Sequence, residues 1–150
     1  MVTEEQLFRL VKKCLPDNHD IKLRFGHSRT TDNISAGSTK LIKNTLGVFF
    51  KNAYKPVRLA SGEYVSNSRR IIFNLYTDLV SDESIASGYD ILSQIRHKMT
   101  NLRNCKFNIG TNSNPEYISI VTCEVAIDTN YIGLSEQGQA MFSLELIINY

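Results

Sequence analysis

The run AMFSLELIINY, residues 140–150, constrains the fold more than any other stretch of this chain. Phe142, Leu144, Leu146, Ile148 and Tyr150 fall on one side of an extended backbone, and Met141, Ser143, Glu145, Ile147 and Asn149 on the other. A period of two marks a half-buried strand, and a strand buries its apolar side only within a sheet that another layer covers. The upstream run EYISIVTCEVAI alternates too, with Ile118, Ile120, Thr122 and Ala126 set against Tyr117, Val121, Cys123, Val125 and Ile127. Joined through DTNYIGLSEQGQ, the two runs predict a long C-terminal antiparallel hairpin with an extended tip. Glu124 and Glu145 then take its solvated positions.

A covering layer is legible as two helices. Thr3 and Gln6 have the spacing of a capping box, and Glu4 and Glu5 suit the positive end of the helix dipole. Leu7, Leu10, Val11, Cys14 and Leu15 then share one helical face with Phe8 beside it, and Pro16 ends the element. The second helix begins with Ser81 or Asp82 as N-cap. Ile85, Tyr89, Leu92, Ile95, Met99 and Leu102 make its apolar stripe, with Ile91 on the flank. Gly88 inside this helix costs about 1 kcal/mol against alanine, which implies close packing against a neighbour.

Three more strands complete the sheet. HDIKLRF sets Ile21, Leu23 and Phe25 against polar neighbours, and Leu46–Phe50 is a short apolar run. RRIIFNLYTD turns Ile71, Phe73 and Leu75 one way and Ile72 and Tyr76 the other, so both faces are expected to be covered. The Ser-, Thr- and Asn-rich stretch 26–45 reads as a mobile loop, and residues 51–68 as an irregular connection with a turn near Ser61–Gly62. The expected fold is one α+β domain over residues 1–150: a mainly antiparallel sheet, two helices packed on one face, and the long hairpin. A chain of this length buries a core without disulfide or metal staples.

Few chemistries survive inspection. The formal net charge is +2 with the basic residues scattered, which argues against a specific nucleic-acid partner. Cys14, Cys105 and Cys123 stand far apart with no CxxC spacing, the pattern of reduced thiols in a cytoplasmic compartment. The N-terminus opens with acidic residues and sparse apolar ones, unlike a signal peptide. No run reaches the ~18 apolar residues of a membrane span. His19, His27 and His97 have no Cys, Asp or Glu at ligand spacing, so they read as surface residues and no metal is expected. Cys14 and Cys123 read as small buried hydrophobes. There is no GxSxG, and Gly37-Ser38-Thr39-Lys40 lacks the order of a phosphate loop. Asp78, Asp82 and Glu83 cluster where capping and the dipole explain them. No catalytic residue and no cofactor follow, and the expectation is a protein that is not an enzyme.

The order of a strand RRIIFNLYTD, a long helix DESIASGYDILSQIRHKMTNL, a strand PEYISIVTCEVAI and the closing DTNYIGLSEQGQAMFSLELIINY resembles the small tail terminator and minor capsid proteins of tailed phages of Gram-positive bacteria. The resemblance covers residues 65–150 and, more loosely, the first helix; residues 26–66 match nothing in it. It implies a virion-tail protein assembled in the host cytoplasm. Six copies would form a ring on the tail tube, halt its polymerisation and offer a surface to the head–tail connector protein. A head-to-tail interface closes into such a ring when its rotation closes; the closing strand is shielded either by an assembly, where it can extend a neighbour's sheet, or by the domain's own sheet. The partners implied are other copies of the chain, the tail tube protein and the connector protein. Tyr131, Ile132 and Leu134, apolar groups in a polar loop, either contact a neighbouring subunit or pack on the domain's own helix. Arg69 and Arg70 either meet acidic groups of a tube subunit or form a solvated pair. The stretch 26–45 is expected to order on assembly. The alternative within the virion is a neck or head-completion connector; from another class, a small α+β enzyme.

Overall fold

The computed structural model describes residues 2–26, 31–35, 38–41, 44–52, 57–58, 60–62, 64–65 and 67–150. In chain order the elements are α1 (Glu4–Lys13), β1 (Lys22–Phe25), β2 (Thr31–Ser35), β3 (Ser38–Leu41), β4 (Thr45–Asn52), β5 (Val57–Arg58), β6 (Tyr64–Val65), β7 (Ser68–Leu79), α2 (Asp82–Thr100), β8 (Cys105–Asn108), β9 (Tyr117–Ile120), β10 (Thr122–Leu134) and β11 (Gln139–Asn149). The main sheet has the order β1-β4-β7-β11-β10. Only β1 and β4 run parallel; the other neighbours are antiparallel. This is the expected α+β architecture.

Register explains the core. Leu46 and Val48 of β4 stand opposite Leu75 and Phe73 of β7, which in turn face Phe142 and Leu144 of β11. All of them, with Ile71, Leu146 and Ile148, lie on one sheet face and are fully buried. Leu7, Leu10, Val11 and Cys14 of the α1 segment and Ile91, Leu92, Ile95 and Met99 of α2 cover that face as one cluster. The first helix starts as its sequence dictates: the Gln6 N–H donates to Thr3 Oγ1 at 3.2 Å, and the Thr3 N–H to Gln6 Oε1 at 2.9 Å. The second is capped by Ser81, with Ser84 completing the same reciprocal pair. Phe8 docks edge-on against Phe25, with ring centroids 5.3 Å apart. On the other sheet face Ile72 and Tyr76 are half-buried.

Several expectations are corrected. The presumed loop 26–45 contains β2 and β3, paired antiparallel as a ribbon; β-branched Thr31, Ile34 and Thr39 favour extended backbone, and the surrounding polarity masks them. Residues 51–68 hold a second ribbon, β5–β6, around the predicted turn, where Gly62 has φ +89°. His27 and Gly37 lie outside the described residues. Phe25, expected on the buried side of its strand, is 55 % exposed because β1 is a sheet edge. Within α2, Ile91 belongs to the core while Tyr89 is largely exposed.

The hairpin departs from expectation in two ways. The run 116–127 is not one strand: β9 pairs with β8 in a separate ribbon, the chain bends at Val121, and β10 joins the main sheet. At the bend the Val121 carbonyl accepts from the Asn104 N–H at 2.9 Å and its N–H donates to the Asn149 carbonyl at 2.8 Å. The buried phase flips there, from Ile118 and Ile120 to Cys123. The tip is also short. β10 continues through Leu134, and the turn spans Ser135–Gly138, closed by the Ser135 N–H to the Gln139 carbonyl at 2.9 Å.

Candidate functional site

Closing strand β11 is interior, flanked by β7 and β10, so of the two expectations it is the domain's own sheet that shields it. The open edge on that side is β10. Six of the ten large apolar side chains that stand exposed among the described residues lie on β9, the bend and β10: Tyr117, Val121, Val125, Ile127, Ile132 and Leu134. A solvated edge strand is usually blunted by charge or proline; this one carries aliphatic groups along its length. Register shifts at Val125/Ile127, Ile127/Asn130 and Tyr131/Gly133 bulge the strand. A partner would therefore grip side chains here more than a continuous backbone ladder.

The five candidate contact residues have different surroundings. Tyr131, Ile132 and Leu134 sit in β10, not in a loop. Tyr131 turns inward, its ring 5.4 Å from that of Phe142, and packs on the domain's own core. Ile132 and Leu134 are 55 % and 52 % exposed. Strand alternation sends Arg69 and Arg70 to opposite faces of β7, so they do not form one patch. Arg70 Nε reaches Glu145 Oε2 at 3.3 Å, and the Arg69 guanidinium donates to the Asn52 side-chain carbonyl.

One histidine is not where the sequence put it. His19, read as a surface residue, is held against α2: its Nε2 lies 2.6 Å from Asp90 Oδ2, and the Ser87 hydroxyl lies 3.5 Å from its Nδ1. Asp90 and Asn18 also accept from the Gln94 amide at 2.8 and 3.0 Å, and Lys98 reaches the Leu15 carbonyl at 3.1 Å. The Ser–His–Asp line has the residue types of an acyl-transfer site but not its surroundings. Ser87 lies inside the helix, where backbone N–H groups are engaged, and the carboxylates of Asp78 and Glu83 line the neighbouring cleft. Carboxylates there would oppose an oxyanion. The cluster reads as a clasp fastening the α1–β1 connection to α2.

That clasp sets a pH dependence. The hydrogen bond from His19, followed by those from Gln94 and Asn18, holds the Asp90 carboxyl below its usual range despite some desolvation. A carboxylate with a depressed folded pKa adds stability above its unfolded pKa, roughly 4, and that contribution is lost as pH falls through the folded value. Asp90→Asn is expected to melt below the wild type at pH 6 and to converge with it in acid. Thermal unfolding from pH 2 to 7 checks this; two parallel curves would rule the clasp out.

Charge is segregated in a way that a scattered sequence count hides. No Lys or Arg occurs in 71–95 or beyond Lys106, yet those segments carry Asp78, Asp82, Glu83, Asp90, Glu116, Glu124, Asp128, Glu136 and Glu145. Folding brings the end of β7, the start of α2 and the hairpin turn together, with the Val80 N–H donating to the Gly138 carbonyl at 2.9 Å. This end holds Asp78, Asp82, Glu83 and Glu136 beside exposed Leu79, Val80, Tyr89 and Leu134. A cleft of about 210 Å³ opens here between Asn44, Thr77, Asp78 and the first turns of α2. Thr77 is fully buried in its lining, and its hydroxyl has no hydrogen-bond partner among the described residues. The signal that could have found this end is the absence of cations from two long segments.

Cys14 and Cys123 are buried as expected, and desolvation pushes their thiols up to about 11 and about 12. Among the described residues no three His, Cys, Asp or Glu side chains gather closely enough to hold a metal ion, and no helix is long and apolar enough to cross a membrane. No protein-family model and no curated protein matches this sequence.

Proposed function

We propose that this chain is a structural subunit of a phage tail, a tail terminator-like protein whose copies close into a ring, of six by the resemblance, on the end of the tail tube. The ring stops tube growth and offers its other surface to the head–tail connector. The observation that carries this reading is the open edge β10 and its exposed apolar row. An edge of this kind left in water invites association, and a subunit designed for assembly uses that tendency. The absence from the His19 cluster of the donors that acyl transfer requires favours binding over catalysis.

Static light scattering across a concentration series, with and without tail tube protein, tests the reading. The wild type is expected to rise above the mass of one chain and to co-sediment with tube protein. Joint replacement Ile127→Lys and Ile132→Lys, at exposed positions, is expected to leave the melting temperature within a few degrees and the mass at one chain. A wild type that stays monomeric with and without tube protein overturns the proposal. Co-sedimentation with portal protein in place of tube protein would move the ring to the neck.

A further inference from the structure

The segregated charge suggests how copies meet. We propose that the acidic, apolar end formed by β7, α2 and the hairpin turn docks the opposite, basic end of a second copy, with a cationic side chain entering the cleft at Thr77. This rests on the assembly reading above and assigns it a second contact, distinct from β10.

The two ends are defined by register. At one end of the sheet Lys51 stands opposite Arg70 and Asn52 opposite Arg69, and Asn149 pairs with Ser68. The Val121 bend ties Asn104 and Asn149 together, which brings β8, with Lys106, and the residues after α2, with Arg103, to this same end. At the far end of β7 stand Asp78 and, one turn on, Asp82 and Glu83. Twelve residues of strand separate the ends, a span of roughly 35–40 Å. Two described residues cross this division: Lys22 lies level with the acidic end, on β1 at the opposite edge, and Glu124 lies level with Arg70, on the edge strand β10.

Three features of the acidic end suit a cationic, partly apolar visitor. Its carboxylates attract the charge. Leu79 and Val80 offer apolar contact to the methylene stem of a lysine or arginine. The lining of the cleft is polar, with Ser81 and Ser87 beside Thr77, and their hydroxyl oxygens offer acceptors to an N–H donor. The two surfaces differ, so the contact is heterologous, and repetition with rotation gives a ring instead of a closed pair. Complementary charge also fixes which end meets which, because like ends repel.

Charge reversal on the whole chain tests this. Glu83→Lys alters the acidic end, and Lys51→Glu with Arg69→Glu alters the basic one. Light scattering is expected to show each variant needing at least about tenfold higher concentration for association than the wild type, with the effect weakened by 0.5 M salt. Mixed one to one, the two variants are expected to associate again, since one reversed end then meets the other. Circular dichroism of each variant shows whether it is folded; if one is not, the neutral changes Glu83→Gln and Lys51→Gln take its place and are expected to act in the same direction. Association of all variants at wild-type concentrations overturns the docking geometry and leaves the ring intact. A wild type that never associates removes both.

Discussion

Phe142→Ala is expected to cost about 3–5 kcal/mol of stability, a fall of roughly 6–20 °C in Tm for a domain of this size. Phe142 is fully buried on β11, and its ring lies 5.2 Å from Tyr89 and 5.4 Å from Tyr131. Beneath it passes Gly88 of α2. A Cβ on Gly88 would stand 2.2 Å from Phe142 Cε2 and 2.4 Å from Cζ, and the flanking tyrosines leave the ring little room to move away. Gly88→Ala in the wild type therefore loses about 1–3 kcal/mol to overpacking, more than the ~1 kcal/mol that alanine returns as helix propensity. In the Phe142→Ala background the obstruction is gone, and the same substitution is expected to raise stability by up to about 1 kcal/mol. Urea midpoints of the four proteins check the cycle. Equal destabilisation by Gly88→Ala in both backgrounds would show that the helix and the ring are not in contact.

Gly110→Ala strikes the backbone itself. The new Cβ would lie 2.4 Å from the Asn114 carbonyl oxygen and 2.7 Å from the Glu116 nitrogen, atoms that no rotamer change can withdraw. The β8–β9 loop they belong to is tightly closed: Ile109 N–H donates to the Glu116 carbonyl at 2.7 Å, and Asn108 Oδ1 accepts from Gly110 and Glu116 N–H at 2.9 and 3.1 Å. Opening it costs about 1–3 kcal/mol and displaces Glu116, whose carboxylate accepts from Arg9 at 2.7 Å and Gln6 at 3.0 Å. Lys13 also loses its hydrogen bond to the Gly110 carbonyl. The helix α1 is thereby released at three points. Hydrogen exchange of its amides is expected to quicken, and the Glu116 carboxyl, held below its usual range chiefly by the Arg9 hydrogen bond, is expected to titrate nearer the ordinary value. Glu116→Gln, which keeps the loop closed, is expected to do less. Unchanged exchange in Gly110→Ala would mean that the loop does not anchor the helix.

What the sequence disclosed follows from how locally each feature is encoded. The capping box of α1, its apolar stripe and the buried face of β11 depend on spacing within one element, and all of them appear where the sequence places them. Gly88 was legible too, because glycine inside a helix needs a neighbour to justify it. Strand order is a different kind of fact. Nothing within AMFSLELIINY distinguishes a central strand from an edge, and β11 came out inside the sheet. The alternation of residues 116–127 likewise carried no sign of the bend at Val121, which is fixed by hydrogen bonds to Asn104 and Asn149, one of them 28 positions away. The His19–Asp90 clasp joins the α1–β1 connection to α2 through space, and spacing along the chain carries no trace of it. For the candidate edge, Ile132 and Leu134 were found as apolar residues out of place, whereas Val125 and Ile127 were hidden in what looked like an ordinary half-buried strand.

A formal charge of +2 makes the protein nearly neutral to anything far away. Close by, the acids at the far end of β7 and the described cations at its start give it two poles, and a charged surface orients such a molecule as it approaches. Orientation is then decided during approach, so a growing polymer that offers a single sign of charge would receive each arriving copy the same way up.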